Sequence, residues 1–311
     1  MHIFLNRLGA AFFLFLPMLG FSSEPPAATE SLTVSTAWLA EHLRDANLVL
    51  LHVGDKGDYD AKHIPGARYV SLDDISVSDH TGKGLMLEMP TADDLHKRLA
   101  ALGINDESRI VVYFAKDWVS PATRAIFTLD TAGLGPRSAL LDGGLTAWLH
   151  EKRETTKAPP AAATGGTLAA LQMQPRIVDA TFVQAHLHTP DYVVIDGRAA
   201  AYYDGIDTGM GHRGPHKTGH VAGAQNLPFS TVTTTDLKLK SPDELRAMFD
   251  KIGVKQDDTV IGYCHIGQQA TEMLFAARSL GHKVLLYDGS FEDWSNRDLP
   301  VENPAKKAAA K

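Results

Sequence analysis

One cysteine stands in the whole 311-residue chain, Cys264, and its isolation excludes several designs. A single thiol closes no disulfide within the chain, and there is no cysteine cluster to hold a structural zinc ion. Positive charge is scarce as well. Thirty Lys and Arg stand against 37 Asp and Glu, a formal net charge of −7 that gives no basis for nucleic-acid binding. No H-x-x-x-H pair lies on a helix-forming stretch, and neither a Gly-rich phosphate loop nor a Rossmann fingerprint occurs, so neither a metal nor a nucleotide cofactor is expected. Long apolar runs are missing too: Leu8 to Phe21 covers fourteen residues, too few to cross a bilayer comfortably. With Arg7 before it and Ser22 and Ser23 after it, that run reads as a secretory signal peptide over residues 1–23. The mature protein is therefore expected to be exported, periplasmic or secreted, without stable membrane association after processing. A disordered or weakly membrane-anchoring N-terminus is the alternative. No cysteine follows the run, which excludes a bacterial-type lipid anchor.

What is present is ordinary globular material, 44% hydrophobic and 22% charged, in a length that suggests two domains. Internal repetition sets the organisation. "VSTAWLAEHL" from Val34 matches "VDATFVQAHL" from Val178, "HIPGA" from His63 matches "HVAGA" from His220, and "LGINDESRIVVYF" matches "IGVKQDDTVIGYC". "LLDGGLTAW" then matches "LYDGSFEDW". The chain is two copies of one unit, residues 31–152 and 175–302. Between them runs an Ala-, Pro-, Thr- and Gly-rich linker over 153–174, read as semi-extended coil, and residues 303–311 are expected to form a disordered tail. Each copy alternates strand-like and helix-like segments: a helix near Trp38 or Phe182, a strand at Leu48–Leu51 or Val193–Ile195, a helix at Ala92–Leu102 or Asp243–Ile252, and a last strand such as Lys283–Tyr287. Such alternation predicts an α/β fold, a parallel sheet flanked by helices in each copy. Trp148 and Trp294, at matched positions, are read as packing residues.

Cys264 closes the β-prone run Thr259–Tyr263 and opens a loop of His265, Ile266, Gly267, Gln268 and Gln269, after which Ala270, Met273, Leu274 and Ala277 recur at helical spacing. A strand-to-helix loop of this kind aims backbone N–H groups and a helix N-terminus at one point, where an anion or a thiolate is stabilised. A buried structural cysteine is the bland alternative. The position at a Gly-containing turn, where open α/β sheets place their sites, favours the functional reading.

These blocks, in this order and twice over, resemble the two-domain rhodanese-type sulfurtransferases, and the resemblance runs from about residue 31 to 302. It implies two tandem rhodanese-like domains, a catalytic C-terminal copy, and a structural N-terminal copy in which Phe114 stands where Cys264 stands in the other. It also implies that the Cys264 thiolate takes the outer sulfur of an anionic donor, holds it as a persulfide, and passes it to cyanide or a thiol acceptor. His265, Ile266, Gly267, Gln268, Gln269 and Ala270 form the substrate-binding loop in this reading. Arg198, after the "VVID" strand, is the anion-binding cation by resemblance and a salt-bridge residue otherwise, and His220 is read as packing its loop. His212, Arg213, His216 and Lys217, within the longer insertion of the second copy, either recognise the donor's charge or belong to a mobile basic loop. Thiosulfate-preferring relatives carry basic residues after the cysteine and mercaptopyruvate-preferring ones a Gly-Ser pair; His265 and Ile266 favour thiosulfate. His265 either adds a pH-dependent charge beside the thiolate or points into solvent. A 3-mercaptopyruvate sulfurtransferase and a non-catalytic persulfide carrier remain as alternatives. A phosphatase of the related type is disfavoured, because Ala270 and Thr271 stand where its Arg would be.

Overall fold

The computed structural model describes residues 31–82, 84–116, 118–161, 167–207 and 217–309. The expected signal peptide and the insertion residues His212, Arg213 and His216 lie outside the described residues. The N-terminal copy contains strands β1 (Thr33–Val34), β2 (Leu48–Val53), β3 (Arg68–Val70), β4 (Arg109–Phe114) and β5 (Ser138–Leu141). Its helices are α1 (Thr36–His42), α2 (Lys56–Ala61), α3 (Ala92–Ala101), α4 (Ser120–Thr131) and α5 (Gly144–His150). In the C-terminal copy the strands are β6 (Ile177–Val178), β7 (Tyr192–Asp196), β8 (His220–Val221), β9 (Gln225–Asn226), β10 (Thr259–Tyr263), β11 (Lys283–Tyr287) and β12 (Val301–Glu302). The helices there are α6 (Ala180–His186), α7 (Ala200–Tyr203), α8 (Pro242–Lys251), α9 (Ala270–Ser279), α10 (Ser290–Asn296) and α11 (Pro304–Ala309).

Two parallel sheets result, in the orders β1-β5-β4-β2-β3 and β6-β11-β10-β7-β9, which are the same order twice. Helices cover both faces, so the central strands are buried on both sides and alternate residues feed two cores. Along β4, Ile110, Val112 and Phe114 enter one core while Val111 and Tyr113 enter the other. Along β10, Val260 and then Cys264 face one core, and Ile261 and Tyr263 the other. The sulfur thus continues the face that Val260 begins. That face is turned to the other copy, because Phe127 of α4 belongs to the same core.

The two copies meet through α4 and α9, the helices that follow β4 and β10. Every residue of α4 is buried, although its sequence carries Thr123, Arg124, Thr128 and Asp130. An isolated surface helix would present those groups to water; here the neighbouring copy covers them. Thr123 and Thr271 hydrogen-bond across the seam at 3.0 Å. Loops reinforce the contact in mirrored fashion. Asp288 accepts the Met89 N–H at 2.7 Å, and Asp142 accepts the Leu239 N–H at 3.0 Å.

Packing details repeat as the sequence predicts. The indole N–H groups of Trp148 and Trp294 donate to the carbonyls of Glu154 and Pro300. His63 stacks on Tyr59, and His220 on Tyr203 at 3.6 Å, each histidine bonded through Nδ1 to the carbonyl of the tyrosine beneath it. The linker is held more firmly than free coil: Thr156 and His63 exchange two backbone hydrogen bonds, and Leu168 is buried in the N-terminal core. Residues 303–309 depart from the expected disorder. Asn303 accepts the Lys306 N–H, Pro304 stands at the first helical position, and the Ala305 N–H bonds to the Asp204 carbonyl. A capped run of Ala and Lys is helix-forming once it has something to dock on. Among the described residues, no helix is long and apolar enough to cross a membrane.

Candidate active site

Cys264 is fully buried, and its backbone is gripped from α10. Its N–H donates to the Ser290 hydroxyl at 3.2 Å and its carbonyl accepts the Phe291 N–H at 3.0 Å. Ser290 itself donates to the Tyr287 carbonyl and has φ of +52°, a left-handed conformation that a non-glycine residue holds only when its surroundings over-determine it. The N-terminal copy is built differently at the same two places. Gly144 stands opposite Ser290, and a Cβ there would come within 2.7 Å of the Phe114 ring. Phe114 and Gly144 fill the space that Cys264 and Ser290 organise in the other copy.

The loop after Cys264 disposes of its carbonyls outward. His265 accepts from the Glu292 N–H, Gly267 from the Arg124 guanidinium at 3.0 Å, Gln268 from the N–H and hydroxyl of Thr271, and Gln269 from the Glu272 N–H. Its N–H groups are left over. No hydrogen bond among the described residues uses the N–H of Ile266, Gly267, Gln268, Gln269 or Ala270. Five consecutive donors at buried and half-buried positions, at the start of the ten-residue helix α9, make an anion nest. Gly267 must be glycine: φ is +79°, and a Cβ would lie 2.7 Å from the Asp288 carbonyl. Gln268 turns away from the nest, its amide donating to Ser120 Oγ of α4 at 3.0 Å.

Arg198 is close enough to Cys264 for the two to interact electrostatically. Its Nε and Nη2 clasp both oxygens of Asp196, with Nη2 to Oδ2 at 2.6 Å, and Nη2 also donates to the Gly219 carbonyl. The guanidinium sits 4.0 Å from the centroid of the Phe291 ring. Burial opposes its charge, but Asp196, Tyr263 and Cys264 outweigh burial and raise its pKa above the ordinary arginine value. Nη1 makes no hydrogen bond among the described residues. Arg198 is thus both the salt-bridge residue and a cation within electrostatic reach of the sulfur. His265 packs edge-on against Tyr202 at 4.6 Å and is only 7% exposed, so it does not point into solvent. Lys217 is bonded to the Leu299 carbonyl and to Asp298, which ties it to the β12 side of the copy. No group of three or more His, Cys, Asp or Glu suited to a metal occurs among the described residues.

Sequence reasoning missed Ser290, Asp196 and Arg124. Ser290 had a signal, the Gly-to-Ser difference between the matched "DGG" and "DGS" blocks. Arg124 had none, since the residue it bonds is 143 positions away.

A fixed sulfur nucleophile, a nest of donors and a buried cation can accept an anionic group, stabilise the thiolate that attacks it, and hold the charged sulfur that results. Comparison with known proteins agrees. The Rhodanese-like domain family model matches residues 35–151 and 179–297. A 3-mercaptopyruvate sulfurtransferase of Escherichia coli K12 is 31% identical over 282 residues, 86% of this chain and 97% of that protein. A thiosulfate sulfurtransferase of Azotobacter vinelandii is 28% identical over 279 residues, 88% of this chain and 98% of that protein. Among solved structures, the crystal structure of YnjE superposes with a TM-score of 0.77 at 22% identity, covering 88% of this chain and 68% of that one.

Proposed function

The chain belongs to the rhodanese-like sulfurtransferases, with two such domains in tandem, and on that premise we propose that it moves a sulfane sulfur from thiosulfate through a Cys264 persulfide to cyanide or a thiol. The Cys264 thiolate attacks the outer sulfur of thiosulfate. A sulfur–sulfur bond forms to Cys264, the bond to the sulfonate sulfur breaks, and sulfite leaves with the electron pair. The acceptor anion then attacks the outer persulfide sulfur, departs as thiocyanate or a new persulfide, and returns the thiolate. Charge is conserved in both steps, with no outside oxidant.

The observation that carries this reading is the run of five N–H donors from Ile266 to Ala270, unused among the described residues, beside the chain's only thiol. They suit a negative sulfur that would otherwise be buried unpaired. Arg198, with Nη1 spare, is the group to hold the sulfonate. His265 and Ile266 after the cysteine favour thiosulfate; 3-mercaptopyruvate is the second donor, favoured by the identity to the Escherichia coli relative. Export of the mature chain is part of the proposal, supported by Arg7 and the apolar run to Phe21; cell fractionation and N-terminal sequencing of the processed protein test it.

The central experiment is mass spectrometry of the purified protein after incubation with each donor, with release of sulfite or pyruvate followed in parallel. The expected results are one added sulfur, about 32 Da for a single covalent adduct, its removal by cyanide, and its absence in Cys264→Ser. Turnover with excess donor and cyanide separates an enzyme from a carrier. Sulfur transfer at the normal rate by Cys264→Ser would end the reading.

A further inference from the structure

The N-terminal copy lacks a nucleophile, yet it reaches the catalytic loop. The Arg124 side chain projects from α4 across the seam, fully buried, and its Nη1 donates both to Asp288 Oδ1 at 2.6 Å and to the Gly267 carbonyl at 3.0 Å. Its Nη2 donates to the Leu87 carbonyl. Asp288 directly precedes the Gly289–Ser290 turn that grips Cys264, and it also accepts the Met89 N–H.

A buried ion pair is a poor source of stability, because two charges must be stripped of water. In the mirrored half, Asp142 accepts the Leu239 N–H as Asp288 accepts that of Met89, but the residue matching Arg124, with Thr123 paired to Thr271, is Glu272. The guanidinium occurs only on the side that holds Cys264. What it does there follows from peptide geometry. In a planar trans peptide, C=O and N–H point in opposite directions. Drawing the Gly267 carbonyl outward onto Arg124 turns the Gln268 N–H inward, into the nest. Gly267, at φ of +79°, has the conformational freedom to let this peptide flip, and a flip would place an oxygen where the anionic sulfur belongs.

The geometry points to Arg124 of the N-terminal copy as a positioning residue for sulfur transfer: it locks the Gly267–Gln268 peptide so that the loop presents donors to the Cys264 sulfur. This rests on the sulfur-transfer reading and adds to it a role for the copy without a nucleophile.

The test uses the full chain. Arg124→Leu combined with Asp288→Asn removes the ion pair without stranding a charge. Arg124→Lys keeps a charge for Asp288 but cannot reach Asp288, Gly267 and Leu87 together. Folding is checked by circular dichroism and thermal melting. The pH profile of Cys264 alkylation by iodoacetamide and the kcat and KM for thiosulfate are then measured. Arg198, Asp196, Tyr263 and His265, the charged and titratable groups around the sulfur, are unchanged in all variants. In the double variant the alkylation midpoint is expected to rise by about one pH unit, a tenfold loss of thiolate below it, with kcat down about tenfold and KM within about twofold. Arg124→Lys is expected to fall between the two. A folded double variant with the wild-type alkylation profile and kcat would overturn the proposal; should that variant not fold, the same result in Arg124→Lys would do so. Wild-type protein that takes sulfur from neither donor would instead refute the sulfur-transfer reading, and the alkylation profiles would still decide the role of Arg124.

Discussion

Glu272 stands in the first turn of α9, the helix that follows the Cys264 loop, and is only 3% exposed. Thr233 Oγ1 reaches one of its oxygens at 3.4 Å, and the other is buried without a hydrogen bond. Burial therefore pushes its pKa up from 4.5 to about 8, with the Thr233 contact opposing weakly. Around pH 7 the folded protein holds this carboxyl neutral, while the unfolded chain releases the proton near 4.5. The linkage has a definite sign. Stability is full below about pH 4.5 and falls as pH rises, until the folded carboxyl also ionises near 8. A difference of about 3 to 4 pH units at ~1.4 kcal/mol each sets a ceiling of about 4–5 kcal/mol, of which about 3 kcal/mol is felt at pH 7 and about 1 kcal/mol at pH 5. Glu272→Gln keeps the shape and removes the titration. Its buried amide carries a penalty of about 1–3 kcal/mol, but one that does not vary with pH. The expected result is that the stability of Glu272→Gln relative to wild type improves by about 2 kcal/mol between pH 5 and pH 7, measured by urea unfolding at constant ionic strength. A difference between the two proteins that stays flat over this range would refute the assignment of a neutral buried carboxyl. The neutrality matters to the site. A carboxylate in the first turn of α9 would oppose the positive helix end that the nest relies on.

Arg198→Ala, made together with Asp196→Asn so that no buried carboxylate is stranded, should raise KM for thiosulfate about tenfold with a smaller change in kcat, and Arg198→Lys should restore only part, since an ammonium lacks the planar fork; wild-type steady-state kinetics in the double variant would remove Arg198 from donor binding. Gly267→Ala forces a Cβ to 2.7 Å from the Asp288 carbonyl at a left-handed φ, so a loss of about 1–3 kcal/mol and of most persulfide formation is expected; a normal melt with normal sulfur loading would show that the loop has another accessible conformation. Phe114→Ala should lower stability by about 3–5 kcal/mol through the cavity it leaves, yet leave turnover intact in the folded protein. Lost turnover with intact folding and persulfide formation would contradict the division of labour between the copies.

The parts of the fold legible in the sequence are those set by local pattern. The β-branched run before Cys264, the helical spacing after it and the strand Lys283–Tyr287 all fall where periodicity placed them. The duplication carried the rest, since paired Trp148 and Trp294 or His63 and His220 needed only be read once. Contacts between the copies left no comparable trace. Arg124 carries no local sign of its burial and is wholly buried, because α9 and Asp288 cover a face whose partner lies more than 100 positions away. Glu272, an acidic residue near a helix start, is buried beside Thr233 with no local pattern to announce it. The helix over Pro304–Ala309 escaped notice because its composition is shared by disordered tails, and only the Asp204 carbonyl and the Asn303 cap distinguish it.

On the proposed division of labour, little must change in the duplicated frame to make one copy reactive and the other supportive. Both copies present a strand-to-helix turn to the shared seam, both brace it with an Asp–Gly turn, and both offer that aspartate to a backbone N–H of the other. Three substitutions break the equivalence, and they act together. On the proposed reading, Cys264 in place of Phe114 supplies the sulfur, Ser290 in place of Gly144 grips the backbone of Cys264, and Arg124, whose counterpart in the other copy is Glu272, turns the loop's donors inward. Transplanting the first alone should fail. A Phe114→Cys protein would have a thiol with no hydroxyl opposite it and, across the seam, Glu272 in place of a guanidinium. Its new cysteine is therefore expected to alkylate slowly and to take up no sulfur when Cys264 is replaced by Ser. A Phe114→Cys/Cys264→Ser protein that nevertheless loads sulfur from thiosulfate at the normal rate would show that the shared frame alone makes the chemistry, and that Ser290 and Arg124 are incidental to it.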